Sequence, residues 1–348
     1  MENKRKRSFN LKGQWLWVLV LIVILAVFFP LPYYFTQPGD AKVLDPIIDV
    51  EDAHKAKGTF MLTTVLVGKA NAAEYIWAKV SEYREVFPED QIRGTDETDE
   101  EYEARQLQLM QSSQDAATIV AFRAAEKEIE IINKGVLVTG VISGMPAEKK
   151  LAVGDLIIAL NGKEIQTAKQ LIDRLKKFEK NEEIMLTVKK SDHKENVKIA
   201  LKPFPEKFAV PSEEEQFGIG ITYPVTFTEV DTEIDVKIDT KQIGGPSAGF
   251  MFTLEIYNQL TDTDWTKGYR IAGTGTMNTE GEIGPIGGIK QKVVAADNAE
   301  AEIFFAPVPA SNYDDAKKAA EDINTNMKIV PVNNFQDALD YLEGLQPK

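Results

Sequence analysis

The chain has 348 residues, 43% of them apolar and 27% charged, which is enough material for two folded domains and an anchor. Its formal net charge of −14 disfavours a nucleic-acid partner, because phosphate binding needs a basic face. It has no cysteine, and that removes thiolate metal sites, cysteine nucleophiles and disulfides together.

The first element is apolar. Lys4, Arg5, Lys6, Arg7 and Lys12 precede an uninterrupted run from Trp15 to Phe29, which continues through Pro30 to Phe35. With that extension it reaches the ~20 residues a helix needs to cross a bilayer. Trp15 and Trp17 at one end, and Tyr33 and Tyr34 at the other, match the aromatic belts of membrane interfaces. Thr36 to Ala41 lacks a small-x-small cleavage site, which favours a retained anchor over a cleaved signal peptide. Lys42 is the only basic residue from Pro38 to Glu51, so the charge bias predicts a cytoplasmic N-terminus. Residues 1–35 are therefore expected to form a basic tail and a single transmembrane helix. Everything beyond about Thr36 would lie outside the cell.

Residues 36–130 read as a membrane-proximal layer. Gln37-Pro38-Gly39-Asp40 is a turn, and Thr59 to Val67 has the composition of a strand. Glu74 to Val86 and Asp99 to Ile132 read as helices, the second acidic at its start as the helix dipole prefers. Pro88 to Asp96 reads as a solvated loop. No chemistry is assigned to this region.

From Gly135 the pattern changes to short strands and turns. A Gly-x-Pro-Ala turn at Gly144 and then Gly154-Asp155 lead into the strand Leu156 to Leu160, and Asn161-Gly162 supplies a hairpin-type turn. An amphipathic helix follows, with Leu171, Ile172, Leu175 and Phe178 on one face, then strands at Ile184 to Lys189 and Asn196 to Leu201. This stretch, residues 131–205, resembles a bacterial PDZ domain. The resemblance implies a groove between the strand Val136 to Val141 and the helix, where a peptide adds as a further strand. Gly135, Val136 and Leu137 are then the peptide-binding candidates. Lys134 and Gly135 would lie near amides that receive a terminal carboxylate. A packing module without a ligand is the alternative.

Pro203, Pro205 and Pro211, followed by Glu213 to Glu215, mark the boundary to residues 206–348. Ile234, Val236 and Ile238 alternate with charged residues as in a half-buried strand, and Tyr269 to Gly273 and Glu302 to Ala306 are further strands. Helices are expected near Ser247 to Leu260, Lys290 to Ala299, Tyr313 to Asp322 and Phe335 to Leu345. The interleaving predicts an α/β (α+β) fold.

The two histidines, His54 and His193, both fall before this last domain, so a Ser-His-Asp triad within it is not expected. No HExxH and no GxxxxGK[ST] occurs, so neither a zinc-peptidase motif nor a P-loop is present, and no metal or cofactor is expected. Two glycine-rich segments remain. In "KQIGGPSAGF", Gly244, Gly245 and Pro246 precede Ser247, which opens a helix. Backbone amides of Ser247 and Ala248 at that helix start could stabilise an oxyanion, while Ser247 as a plain N-cap fits the residues equally well. In "GPIGGIKQKVVAA", Lys290 sits in a first helical turn, where burial and the positive helix end would depress its basicity enough for it to act as a base. A surface lysine is the plain alternative. Lys292 is the spare candidate, two positions on and pointing elsewhere.

"GPSAG" followed by "PIGGIKQKVVAA" resembles the proteolytic domain of Lon-type (S16) serine proteases over roughly Phe217 to Leu345. The resemblance implies a Ser247–Lys290 dyad, with Thr274, or else Thr276, orienting the lysine. Many ATP-dependent members carry an acid before "GPSAG", where this chain has Gly244. Anchor, PDZ and Lon-type domain together resemble the SepM and YlbL group of Gram-positive, membrane-anchored, pheromone-processing proteases. That implies ATP-independent cleavage of extracellular peptides or of membrane and secreted proteins. A catalytically inert PDZ scaffold at the cell surface is the competing expectation.

Overall fold

The computed structural model describes residues 15–348, apart from 16, 18–19, 22–25, 52, 54, 94–96, 191–192, 206–215, 222–223 and 242. The basic tail, residues 16, 18–19 and 22–25 of the expected anchor, His54 and the Pro211 to Glu215 boundary therefore lie outside the described residues. Among the described residues no helix is long and apolar enough to cross a membrane. Pro30 to Phe35, expected to extend such a span, belong instead to strand β1 (Pro30–Val43). Two prolines without N–H groups end helical pairing there. Tyr34 and Thr36 are buried while Tyr33 and Phe35 are only partly covered, the alternation of a strand.

After β2 (Ile48–Val50), strand β3 (Thr59–Asn71) runs into helix α1 (Ala72–Val80), followed by β4 (Glu85–Pro88). The chain divides into two units, residues up to Pro38 with Val65–Ile92, and Gly39–Thr64 with Arg93–Lys348. In the smaller unit β1 pairs antiparallel with β4 through Tyr33 to Thr36. Asn71 caps α1, its side chain accepting from the Glu74 amide, and Arg84 pairs with Glu74 while lying 3.5 Å from the Trp77 ring centre.

In the larger unit, helix α2 (Asp99–Ala124) is started by a reciprocal Thr98–Glu101 capping box. Expected to reach Ile132, it stops at Ala124. The β-branched Ile129, Ile131 and Ile132 that follow suit an extended chain, and they open β5 (Ile129–Leu137). The PDZ elements come next: β6 (Leu156–Leu160), β7 (Lys163–Glu164), α3 (Ala168–Leu175), β8 (Glu183–Lys189) and β9 (Lys194–Ala200). Val136, Ile157, Leu171, Leu186 and Ile199 form their core. The short β10 (Lys202–Pro203) and β11 (Phe217–Gly218) pair with each other, and β12 (Val225–Thr232) joins the PDZ sheet in the order β12-β5-β6-β8-β9.

Beyond it lie β13 (Val236–Ile238), α4 (Gly249–Leu260), β14 (Arg270–Gly273), β15 (Thr276–Met277), β16 (Ile283–Gly284), α5 (Ile289–Asn298), β17 (Ile303–Pro307), α6 (Asn312–Asp322), β18 (Lys328–Val332) and α7 (Phe335–Glu343). Within this unit β3, β14, β17 and β18 pair in parallel. A parallel sheet is normally covered on both faces, and period-two alternation divides its side chains between two cores. Phe60, Ile271, Ile303 and Phe305 pack with Phe122 of α2 and with Phe250 and Phe252 of α4. Met61, Ala272 and Phe304 pack with Val293 of α5 and Ala316 of α6. Part of the expected membrane-proximal layer, β3 and α2, is thus integral to this core, and the PDZ elements are inserted between α2 and β13. Phe305 is fully buried, edge-on to Phe250 and Tyr341 at 5.8 and 5.7 Å. Phe305→Ala should cost about 3–5 kcal/mol, measured as a shifted urea midpoint at unchanged slope.

Candidate active site

The Gly244 to Ala248 loop enters α4 under tight constraint from α2. Ser113 Oγ donates to the Pro246 carbonyl at 2.9 Å, and the Gly245 amide donates to the Gln106 carbonyl at 2.9 Å. A Cβ on Gly249 would stand 2.4 Å from Ser113 Oγ, so only glycine lets the two elements approach this closely. Ala248 is the N-cap of α4 and makes no side-chain cap bond. Ser247, one residue earlier, is not the cap; its hydroxyl is left for another partner.

That partner is Lys292. Its Nζ lies 2.7 Å from Ser247 Oγ and 2.8 Å from Thr274 Oγ1. Thr274 Oγ1 donates in turn to the Ser247 carbonyl at 2.9 Å, and the Gly275 amide donates to the same oxygen at 2.9 Å. Lys292 is 2% exposed and Thr274 is 1% exposed. Burial penalises the ammonium and pulls the Lys292 pKa down to about 7. No described residue accepts a hydrogen bond from the amides of Ser247 and Ala248, which leaves both available at the head of α4.

The lysine expected from the sequence was Lys290, and the structure corrects this. Gly288, in the left-handed region at φ 70°, starts α5. From there the helix turns about 100° per residue, so two positions swing a side chain through roughly 200°. Ile289, Lys292, Val293 and Ala296 share the buried face, while Lys290 is exposed to solvent. The apolar period Ile289, Val293, Ala296 was itself the signal that would have placed Lys292 inward. Thr274 stands where it can orient the amine. Thr276 lies in β15 and pairs with Gly284. Ser113 and Gln106 were missed because the region before Gly135 was read as carrying no chemistry, though a serine on the covered face of a long helix is a buried polar group that needs a partner. His193 lies exposed in the β8–β9 hairpin.

The PDZ candidates Gly135, Val136 and Leu137 sit at the end of β5, which runs Ile129–Leu137 and not Val136 to Val141. Their outer edge is paired with Phe227, Thr226 and Val225 of β12. Lys134, expected near a terminal carboxylate, makes an ion pair of 2.9 Å with Glu229.

A buried lysine amine against a serine hydroxyl at a helix head defines a class, the serine peptidases that use an amine where others use imidazole. Residues 170–343 match the Lon protease (S16) C-terminal proteolytic domain, and residues 110–201 match a PDZ domain. The chain belongs to the Lon protease (S16) proteolytic-domain family. It is similar to the Lon protease of Campylobacter jejuni, 36% identical over 98 residues covering 28% of this chain and 12% of that protein. The Lon protease of Phenylobacterium zucineum is 34% identical over 130 residues, 37% of this chain and 16% of that protein. The chain therefore spans less than a fifth of the length of either relative. Among solved structures, the PDZ domain of an SdrC-like protein from Listeria monocytogenes is 28% identical, covering 26% of this chain and 86% of that one at a TM-score of 0.23.

The depressed Lys292 pKa has a consequence for stability. Between about pH 7 and the unfolded value near 10.4, the unfolded chain binds a proton that the folded chain does not, so stability rises with pH across that window. Lys292→Met removes this term. Its thermal midpoint should exceed that of the parent most below pH 7, with the excess shrinking towards pH 10; an excess independent of pH would mean that the amine is not depressed.

Proposed function

We propose that this chain is a membrane-anchored, ATP-independent serine endopeptidase. Its substrates would be extended segments of extracellular peptides, pheromone-type signals among them, or of membrane and secreted proteins. The observation that carries the reading is the 2.7 Å approach of Lys292 Nζ to Ser247 Oγ inside the buried Lys292–Thr274 pair. Neutral Lys292 takes the Ser247 proton as Oγ attacks the scissile carbonyl carbon. The resulting oxyanion accepts from the Ser247 and Ala248 amides. Collapse of the tetrahedral species breaks the C–N bond, and Lys292 returns the proton to the leaving amine. Water, deprotonated by the same amine, then hydrolyses the acyl-serine and frees Oγ. Thr274 accepts one amine hydrogen and keeps the lone pair directed at Ser247.

Anchoring is supported by the five basic residues ahead of the Trp15 to Phe29 run. ATP independence is supported by the lack of a Walker-type sequence in the chain. A peptidase without a motor acts on segments that are already unfolded.

Ser247→Ala and Lys292→Ala should each lower turnover of an unstructured peptide by at least ~10³-fold, whereas Lys290→Ala should stay within about threefold of the parent. Mass spectrometry of the products reads this directly. Retained cleavage in Ser247→Ala would overturn the reading, and loss in Lys290→Ala with activity in Lys292→Ala would restore the sequence expectation. Activity of the parent should rise with pH through a midpoint near 7, as the amine loses its proton. Topology has its own test. Protease added to intact, wall-stripped cells should digest the C-terminal domain and spare a tag placed before Lys4; protection of that domain until lysis would exclude external substrates.

A further inference from the structure

The edge of the PDZ sheet that a peptide would use is not vacant. It carries the chain's own returning segment at two antiparallel stretches, Gly220–Ile221 and Val225–Phe227. The Ile142 amide donates to the Gly220 carbonyl at 2.8 Å, and Val141 is bridged to Ile221. Leu137, Val136 and Gly135 oppose Val225, Thr226 and Phe227 in that same register. The other wall of the groove also engages the segment, since the Ala168 amide at the start of α3 donates to Thr226 Oγ1 at 3.0 Å. Main-chain pairing on one side and a helix-start contact to a side-chain hydroxyl on the other are the two halves of strand-addition recognition.

The register breaks between Phe227 and Thr228. Past that bulge the two strands are held by different contacts: Thr228 Oγ1 to Asn133 Oδ1 at 3.1 Å and Lys134 to Glu229 at 2.9 Å. The bulge therefore separates a groove portion, Val225 to Phe227, from a fixed portion that leads to β13 and the Ser247 loop. The extra residue is Lys134 of β5, so the ladder is interrupted opposite Phe227 and Thr228, and the two portions of β12 can part company there.

We infer that Val225–Phe227 is the resident ligand of the PDZ groove, and that an external peptide binds only by displacing it, with the bulge at Phe227/Thr228 as the hinge. The fitting partner is an internal extended segment with a small hydroxyl residue facing the start of α3. The occupant runs through the Gly135 end of the groove and onward to Thr232, so no chain terminus is required. The inference concerns the groove alone and stands or falls independently of the Ser247 chemistry.

The test uses the full chain in a Ser247→Ala background, with a fluorescein-labelled peptide of the sequence Pro-Val-Thr-Phe-Thr-Glu-Val as probe. Because the chain has no cysteine, Leu137→Cys with Val225→Cys introduces a single staple across directly opposed positions. Reduced protein should bind the probe, oxidised protein at least tenfold more weakly, and Thr226→Val, which loses the Ala168 contact, severalfold more tightly than the parent. Equal binding by oxidised and reduced forms would put the peptide elsewhere and overturn the proposal, as would no binding by either the reduced form or Thr226→Val. Hydrogen exchange on the unstapled protein gives a second measure. The Val225 and Phe227 amides should exchange at least tenfold faster than those of β6 and β8, and protection equal to β6 and β8 would show a permanent strand instead.

Discussion

The arrangement depends on hiding a lysine amine from water. Among the described residues no carboxylate stands beside this ammonium, which is 2% exposed, and burial is the cause of its depressed basicity. A neutral amine has two N–H groups and one lone pair. Thr274 takes one hydrogen and commits its own to the Ser247 carbonyl, so the hydroxyl directions around the amine are fixed. The lone pair is then left to face Ser247 Oγ. Covering the amine requires close approach of α4 to the strand end carrying Thr274, and Gly273 and Gly275 permit it, since a Cβ there would stand 2.6 Å from Met251 Sδ and 3.3 Å from Phe250 Cβ.

A second dependence runs through α2. This helix packs in the same core as Phe250 and Phe252 and holds the Gly245–Pro246 peptide units through Gln106 and Ser113. At its other end the chain passes within a few residues into β5, the strand that β12 covers. The return strand β12 passes as directly into β13, which pairs with β2. The inserted domain is joined at both ends to elements that frame the serine loop. Its groove and the loop thus share covalent neighbours and a packed helix, which is the physical means by which one could influence the other.

Much of this was legible in the sequence because local rules and tertiary demands agreed. The strands at Leu156, Tyr269 and Glu302 and the helices after Ser247 and Phe335 carry the hydrophobic patterning that their burial uses. Failures came where two readings were locally equivalent. Lys290 and Lys292 both sit near a helix start, and the helix phase that separates them was decided by packing against Met61 and Phe304. Ile129 to Ile132 follow a long helical pattern, and only strand pairing with β12 ends it. The Val225–Thr232 segment was not assigned, although its β-branched residues suit a strand, because its partner lies some ninety positions earlier, a pairing no local window contains.

Gly244 ties these points together. The residue before "GPSAG" is a glycine here, and a carboxylate near Lys292 would favour the charged ammonium. In this chain a Cβ at Gly244 would stand 2.8 Å from Gln106 Cβ, a contact that real side chains avoid. An acid there would push α2 away, and with it the Gln106 and Ser113 bonds that set the loop. The packing of α2 and the presence of an acid are therefore alternatives. This chain takes the packing, which leaves desolvation to keep the amine neutral and anchors the loop to the helix that leads into the PDZ sheet. The glycine at 244 and the Gln106 and Ser113 bonds to the loop belong to the same close approach of α2 to the nucleophile loop.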